Sequence, residues 1–144
     1  MRIIDRFSRE HDAFVVQLDG LRADVARGGD VRAAIEGMRV LAEPLLKHAA
    51  NEEALLFPDL VLKLGGETGG PVGVLREEHV IIHGQVDHLS AEPTRAAFDQ
   101  VFTAFDKILR EHIAKEEEVV FPLSAQLLGD ERLSEMNEEI PAAV

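Results

Sequence analysis

His48-Ala-Ala-Asn-Glu52-Glu-Ala-Leu-Leu-Phe-Pro58 and His112-Ile-Ala-Lys-Glu116-Glu-Glu-Val-Val-Phe-Pro122 are two copies of one pattern, H-x-A-x-E-E-x-x-x-F-P, in one chain of 144 residues. In each copy the histidine and the first glutamate stand four residues apart, which puts both side chains on one face of an α-helix. The same spacing joins His79 to His83. A fainter repeat links Glu10-His11 to Glu78-His79, and under its offset Gln17, Asp19 and Leu21 fall on Gln85, Asp87 and Leu89. The chain reads as one domain made of two helical hairpins of one design, about residues 1–64 and 71–128.

Working outward from these motifs, the apolar residues recur at helical spacing. A first helix runs from about Ile3 to Arg27 and ends at Gly28-Gly29. Asp30 caps a second, which reaches about Leu64 and is expected to bend at Pro44 and Pro58. Residues Gly65 to Gly70 form a loop, without the strand context of a phosphate-binding loop. A third, shorter helix spans about Pro71 to Leu89, and after Ser90–Pro93 a fourth runs to about Leu128. Asp130 opens a short fifth helix that Pro141 ends. No segment alternates with the strand period, so the fold class is all-α, an antiparallel up-down-up-down four-helix bundle with a short C-terminal helix. His11 and His48 lie at nearly equal distances from the turn at Gly28-Gly29, so the first hairpin brings them to one height. The second hairpin matches less well and needs connections that climb along the bundle.

Composition narrows the function. There are 27 acidic and 15 basic residues, a formal charge of −12, which argues against nucleic acid or an anionic membrane as partner. With no cysteine there is no disulfide, thiolate ligand or iron–sulfur ligation. Apolar runs are too short to span a membrane, and the N-terminus lacks a signal-peptide core, so a cytoplasmic protein is expected. The absence of Tyr and Trp rules out an aromatic relay of those residues in any redox chemistry.

Seven polar side chains fall on the apolar stripes: His11, His48, Glu52, His79, His83, His112 and Glu116. Burying imidazoles and carboxylates is costly unless they are compensated. Seven are too many for one ion and suit two, of iron, zinc, copper or manganese, with Glu52 and Glu116 as bridges. His79, His83 and His112 would serve one ion, and His11 with His48 the other. With a bridging oxo or hydroxo group the second ion is one ligand short. The asymmetry arises because the repeat partner of His83 is Val15, which is therefore expected beside the open position. Phe14, Phe57 and Phe121 are expected to wall the pocket. No residue is assigned a covalent catalytic role.

These motifs resemble the hemerythrin-like, HHE cation-binding family over essentially the whole chain. All seven family ligand positions are filled in order. The departure is from the invertebrate oxygen carriers, whose last ligand is an aspartate one residue further along; Glu116 follows the pattern of many bacterial members. The resemblance implies a non-haem centre of two iron ions that binds O2 or another small ligand, for carriage, storage or sensing. Sensing would require a separate protein partner. The alternatives are a di-iron enzyme acting on peroxide or nitric oxide, and an iron-handling or iron–sulfur repair protein. Relatives of the last kind often carry a cysteine-bearing N-terminal segment that is not seen here, which lowers that expectation. Ferritin-like proteins use Glu-x-x-His, a motif absent from this chain.

Other polar residues read more simply. His88 is off the stripe and expected to be exposed. Glu53, Glu117 and Glu118 are expected on the solvated face. Glu10, Glu78 and Glu111 each precede a histidine. They could orient ligands, but an adjacent residue points about 100° away, so a surface position is the expectation.

Overall fold

The apolar stripes close against one another as four helical rods in the computed structural model, which describes residues 1–66 and 70–142. The first rod is α1 (Ile3–Ala26). The second is α2 (Val31–Asn51), a π-helical turn (Glu52–Leu56) and α3 (Phe57–Leu64). The third is α4 (Gly70–Ser90). The fourth is α5 (Arg95–Lys115), a second π-turn (Glu116–Val120) and α6 (Phe121–Glu139). No strand occurs among the described residues, so the all-α expectation is met. Of the expected loop at Gly65 to Gly70, residues 67–69 lie outside the described residues.

The ends of the rods follow local chemistry. Gly28 takes φ 67°, which a residue with a Cβ resists, and the Gly29 amide then donates to the Asp24 carbonyl at 3.1 Å. The Asp30 carboxylate accepts from the Arg32 amide at 3.2 Å, and the Thr94 hydroxyl from the Ala97 amide at 3.3 Å. Gly129, at φ 79° and ψ 160°, breaks α6 where a separate short C-terminal helix was expected, and helical residues resume to Glu139. The expected bends come out differently. α2 runs through Pro44, whereas Pro58 and Pro122 each follow a π-turn. A proline ring clashes with the carbonyl four residues back in an ordinary helix, and the wider turn relieves that clash.

In the second hairpin His79 lies 11 residues before Ser90 and His112 lies 17 after Arg95. That offset is roughly 9 Å of helix rise. The four-residue connection 91–94 can reach about 13 Å, enough to absorb it.

Neighbouring rods pack in a ring: α1 on α2, α2 on α4, α4 on α5 and α5 on α1. Their buried residues form two apolar clusters. One joins Phe14, Leu18, Met38, Leu41, Val86, Phe98 and Phe105. The other joins Ile3, Phe7, Leu56, Phe57, Leu75, Phe121 and Met136. Each fully buried large side chain contributes about 1.5–3 kcal/mol. Between the two clusters lies a polar layer that apolar burial alone would not create.

Candidate metal centre

The polar layer holds His11, His48, Glu52, His112 and Glu116, all at most 4% exposed, together with His79, whose side chain is 10% exposed. They form two groups. His11, His48 and Glu116 place one ligand atom each within 4.8 Å of one another, and so do Glu52, His79 and His112. The imidazoles of His11 and His48 have ring centroids 4.8 Å apart, and those of His79 and His112 4.9 Å. The carboxylates lie between the groups. Glu52 Oε1 is 3.4 Å from His48 Nε2 and 3.2 Å from His79 Nε2. Glu116 Oε1 is 3.0 Å from His11 Nε2 and 3.4 Å from His112 Nε2.

Four further carboxylates set the histidines. His48 Nδ1 donates to Glu10 at 2.7 Å, and His79 Nδ1 to Glu53 at 2.8 Å. His112 Nδ1 donates to Glu78 at 3.0 Å, and His11 Nδ1 to Glu117 at 2.8 Å. The four bonds run once round the bundle, because each rod supplies a carboxylate to the histidine of the next. The outer carboxylates are held in turn. Arg76 Nε donates to Glu53 at 3.1 Å, Ser8 Oγ to Glu117 at 2.9 Å, and Lys115 to Glu78. Carboxylate-held imidazoles of this kind have a fixed ring orientation and a more basic free nitrogen.

This arrangement fits a cation. With its proton on Nδ1, a neutral imidazole presents a lone pair at Nε2. Here all four Nε2 atoms face carboxylate oxygens. Two acceptors at such distances need a proton or a metal ion between them. His48 Nε2, Glu52 Oε2 and Glu116 Oε2 are buried without any hydrogen-bond partner. Leaving such atoms unpaired costs about 1–3 kcal/mol each, more for charged groups.

Titration reflects the same crowding. Burial pulls the His48 imidazole down, but the Glu52 and Glu10 carboxylates lift it to about 9. His79 is raised against its own burial by Glu52 and Glu53. Burial resists ionisation of Glu52, yet His48 and His79 bring its carboxyl down to about 2. Burial wins at the other two histidines: His11 is lowered, with His48 adding to the effect, and His112 falls to about 4.

The structure does not bring His83 into the cluster. Its side chain is 60% exposed and faces Asp87, 3.3 Å away on its own helix. Ile82 takes the buried position instead, at 4% exposure. With His83 outside, the two groups are equivalent, each of two histidines and one glutamate, and the expected asymmetry disappears. Val15 packs, half-buried, against the apolar cluster of Phe14 and Leu18 and does not border the cavity over the site. Phe14 does border it. Phe121 stacks on His11 at 5.4 Å and Phe57 on His79 at 5.6 Å, so both wall the site.

Glu10, Glu53, Glu78 and Glu117 were expected at the surface, and the structure puts them on the histidines. A residue one step from a ligand does point about 100° away from it, but in a bundle that direction leads to the next helix. The signal was present: both repeats carry the pairs Glu10-His11 with Glu78-His79, and Glu52-Glu53 with Glu116-Glu117. Glu111, Glu118 and His88 are exposed, as expected.

Comparison with known proteins agrees with this geometry. The family profile of the hemerythrin HHE cation-binding domain matches residues 2–124. The chain is 26% identical over 138 residues to the iron-sulfur cluster repair protein YtfE of Dickeya chrysanthemi (strain Ech1591), covering 85% of this chain and 62% of that relative. It is 24% identical over 135 residues to the proteins of the same name from Cronobacter sakazakii (strain ATCC BAA-894) and Enterobacter sp. (strain 638), covering 85% of this chain and 61% of each. The chain thus spans about three fifths of the length of the curated relatives it matches. No solved structure matches it. No described helix is long and apolar enough to cross a membrane. With a profile match over most of its length and a buried set of histidines and glutamates facing one another, the chain belongs to the hemerythrin HHE cation-binding domain family.

Proposed function

We propose that this chain holds two iron ions and binds O2 or another small ligand there, for carriage, storage or sensing. His11, His48 and Glu116 would hold one ion, and Glu52, His79 and His112 the other, with the two glutamates shared. The observation that carries this reading is the set of buried, unpartnered atoms His48 Nε2, Glu52 Oε2 and Glu116 Oε2, all in one layer. Iron bound there would supply the reversible, redox-linked binding of a small ligand. The protein's own residues do the rest. Glu10, Glu53, Glu78 and Glu117 keep each proton on Nδ1 and each Nε2 free. Phe57 and Phe121 fix the ring planes, and the apolar clusters close the layer above and below.

The names of the three relatives favour a second reading, iron handling in the repair of iron–sulfur clusters. One experiment separates the two. The purified protein should contain close to two irons per chain. Reduced anaerobically and then given O2, it should develop a visible absorption band that disappears again under vacuum. Rapid irreversible oxidation would overturn the O2-binding reading and favour a di-iron enzyme, and release of iron to an apo-ferredoxin would favour repair. A single zinc per chain would overturn both readings.

A further inference from the structure

A cavity of about 550 Å³ opens from the surface between α2 and α4 down to the imidazoles of His11, His48, His79 and His112. It is much larger than a diatomic ligand requires, since a water molecule takes about 30 Å³. Two cations and a bridging oxygen on its floor would leave most of it. Well-packed interiors hold few voids larger than water. Cavities of roughly 300–1,000 Å³ with apolar walls and a few convergent polar groups are the size at which proteins hold organic molecules.

The walls match that description. Phe14, Leu45, Ile82, Leu109 and Ile113 form them, and the four imidazoles form the polar floor. The mouth is kept open by small residues on facing helices, Ala49 and Ala50 on α2 and Gly84 on α4. A Cβ placed on Gly84 meets nothing within 4 Å, so the gap there is free space. Of the other titratable groups that line it, Glu53 and Arg76 are bonded to each other, and the exposed His83 faces Asp87 at 3.3 Å.

We infer that this cavity binds an uncharged, largely apolar organic molecule of aromatic or hydrocarbon type, seated against the four histidines. The inference deepens the reading of the buried histidine layer as the functional centre and rests on it. A molecule held there would sit beside any small ligand at the floor and shut water out from above. It would therefore be a second ligand, distinct from O2.

The probe is 1-fluoronaphthalene, followed by its 19F resonance in titrations of the iron-loaded protein. Iron content is measured on the same samples. Saturable binding of one equivalent is expected, with the resonance broadened by the nearby iron. Gly84→Phe and Ala50→Phe, both at exposed mouth positions, should each weaken binding at least tenfold while helix content and iron content stay unchanged. No saturable binding to iron-loaded wild type overturns the inference and leaves the metal reading intact. Equal binding by wild type and both variants places the probe elsewhere and also overturns it. Saturable binding that both variants weaken, in protein that holds no iron, supports the cavity and defeats the metal reading instead.

Discussion

A single buried glutamate illustrates the balance at this site. Glu52 is fully buried, and two imidazoles hold its carboxyl at about 2. Its partner in the other repeat, Glu116, is equally buried and faces His11 and His112. Glu116→Ala should remove iron and lower the melting temperature together, because metal binding and folding are coupled at such sites. His83→Ala is the contrasting case: with its side chain on the surface, it should keep wild-type iron content by elemental analysis. Loss of half the iron in His83→Ala would mean that this histidine turns inward to serve as a ligand. The outer carboxylates act through the histidines. Glu53→Gln should weaken iron affinity about 10- to 100-fold by competition with a chelator, with little change in fold. An unchanged affinity would make the bond from His79 to Glu53 incidental.

Each rod that carries a buried glutamate of the polar layer widens by one residue just at that glutamate. The π-turns Glu52–Leu56 and Glu116–Val120 start on the two fully buried carboxylates. In an unbroken α-helix Phe57 would lie about 140° round from Glu52, since five residues advance 500°. The π-turn absorbs the extra residue, so Glu52, Leu56 and Phe57 are all buried on one side. Such turns are often found at functional sites. Ala54 is exposed within the first of them, and deleting it should return the segment to α-helical register. Circular dichroism should then show undiminished helix, because Phe57 and Leu60 fall back on the core face. Iron content should fall, because Glu52 and Glu53 lose their aim. Full iron occupancy in the deletion variant would show that the wide turn has no part in placing them.

For the whole molecule, the buried groups set a pH window once metal is removed. His48 and His79 are raised in the folded state, His48 to about 9. Their contribution is complete below the ordinary value of 6.5 and is lost as pH climbs through the folded values. His11 and His112 are lowered, His112 to about 4, so below 6.5 the unfolded chain takes up protons that the folded one refuses. Stability therefore falls on that side too. Glu52 adds to the acid loss as pH drops from 4.5 towards about 2. Chelated protein should melt highest near pH 6.5 and lower on either side, by differential scanning fluorimetry. A melting temperature that rises steadily to pH 9 would contradict the raised histidines. Iron-loaded protein should melt higher than chelated protein throughout the neutral range.

Much of this was legible in the chain itself. The four main helices, the stop at Gly28, the cap at Asp30 and the pairs His48/Glu52 and His112/Glu116 follow from spacing and residue type. These depend on neighbours within a turn or two, where helical geometry is nearly invariant. Three features did not. His83 and Ile82 compete for one inward position on α4, and either would satisfy the spacing; packing against α2 and α5 gave it to Ile82. Glu10, Glu53, Glu78 and Glu117 are surface residues on a lone helix, and only the neighbouring rod turns each of them into a histidine's partner. The cavity depends on Ala49, Ala50 and Gly84 facing each other across two helices that sequence alone cannot set side by side. The sequence by itself determined the helices and most of the histidines and glutamates that meet in the buried layer, because their rules are local. Tertiary structure alone decided which side chains share a surface, because that depends on how one rod is rotated against the next.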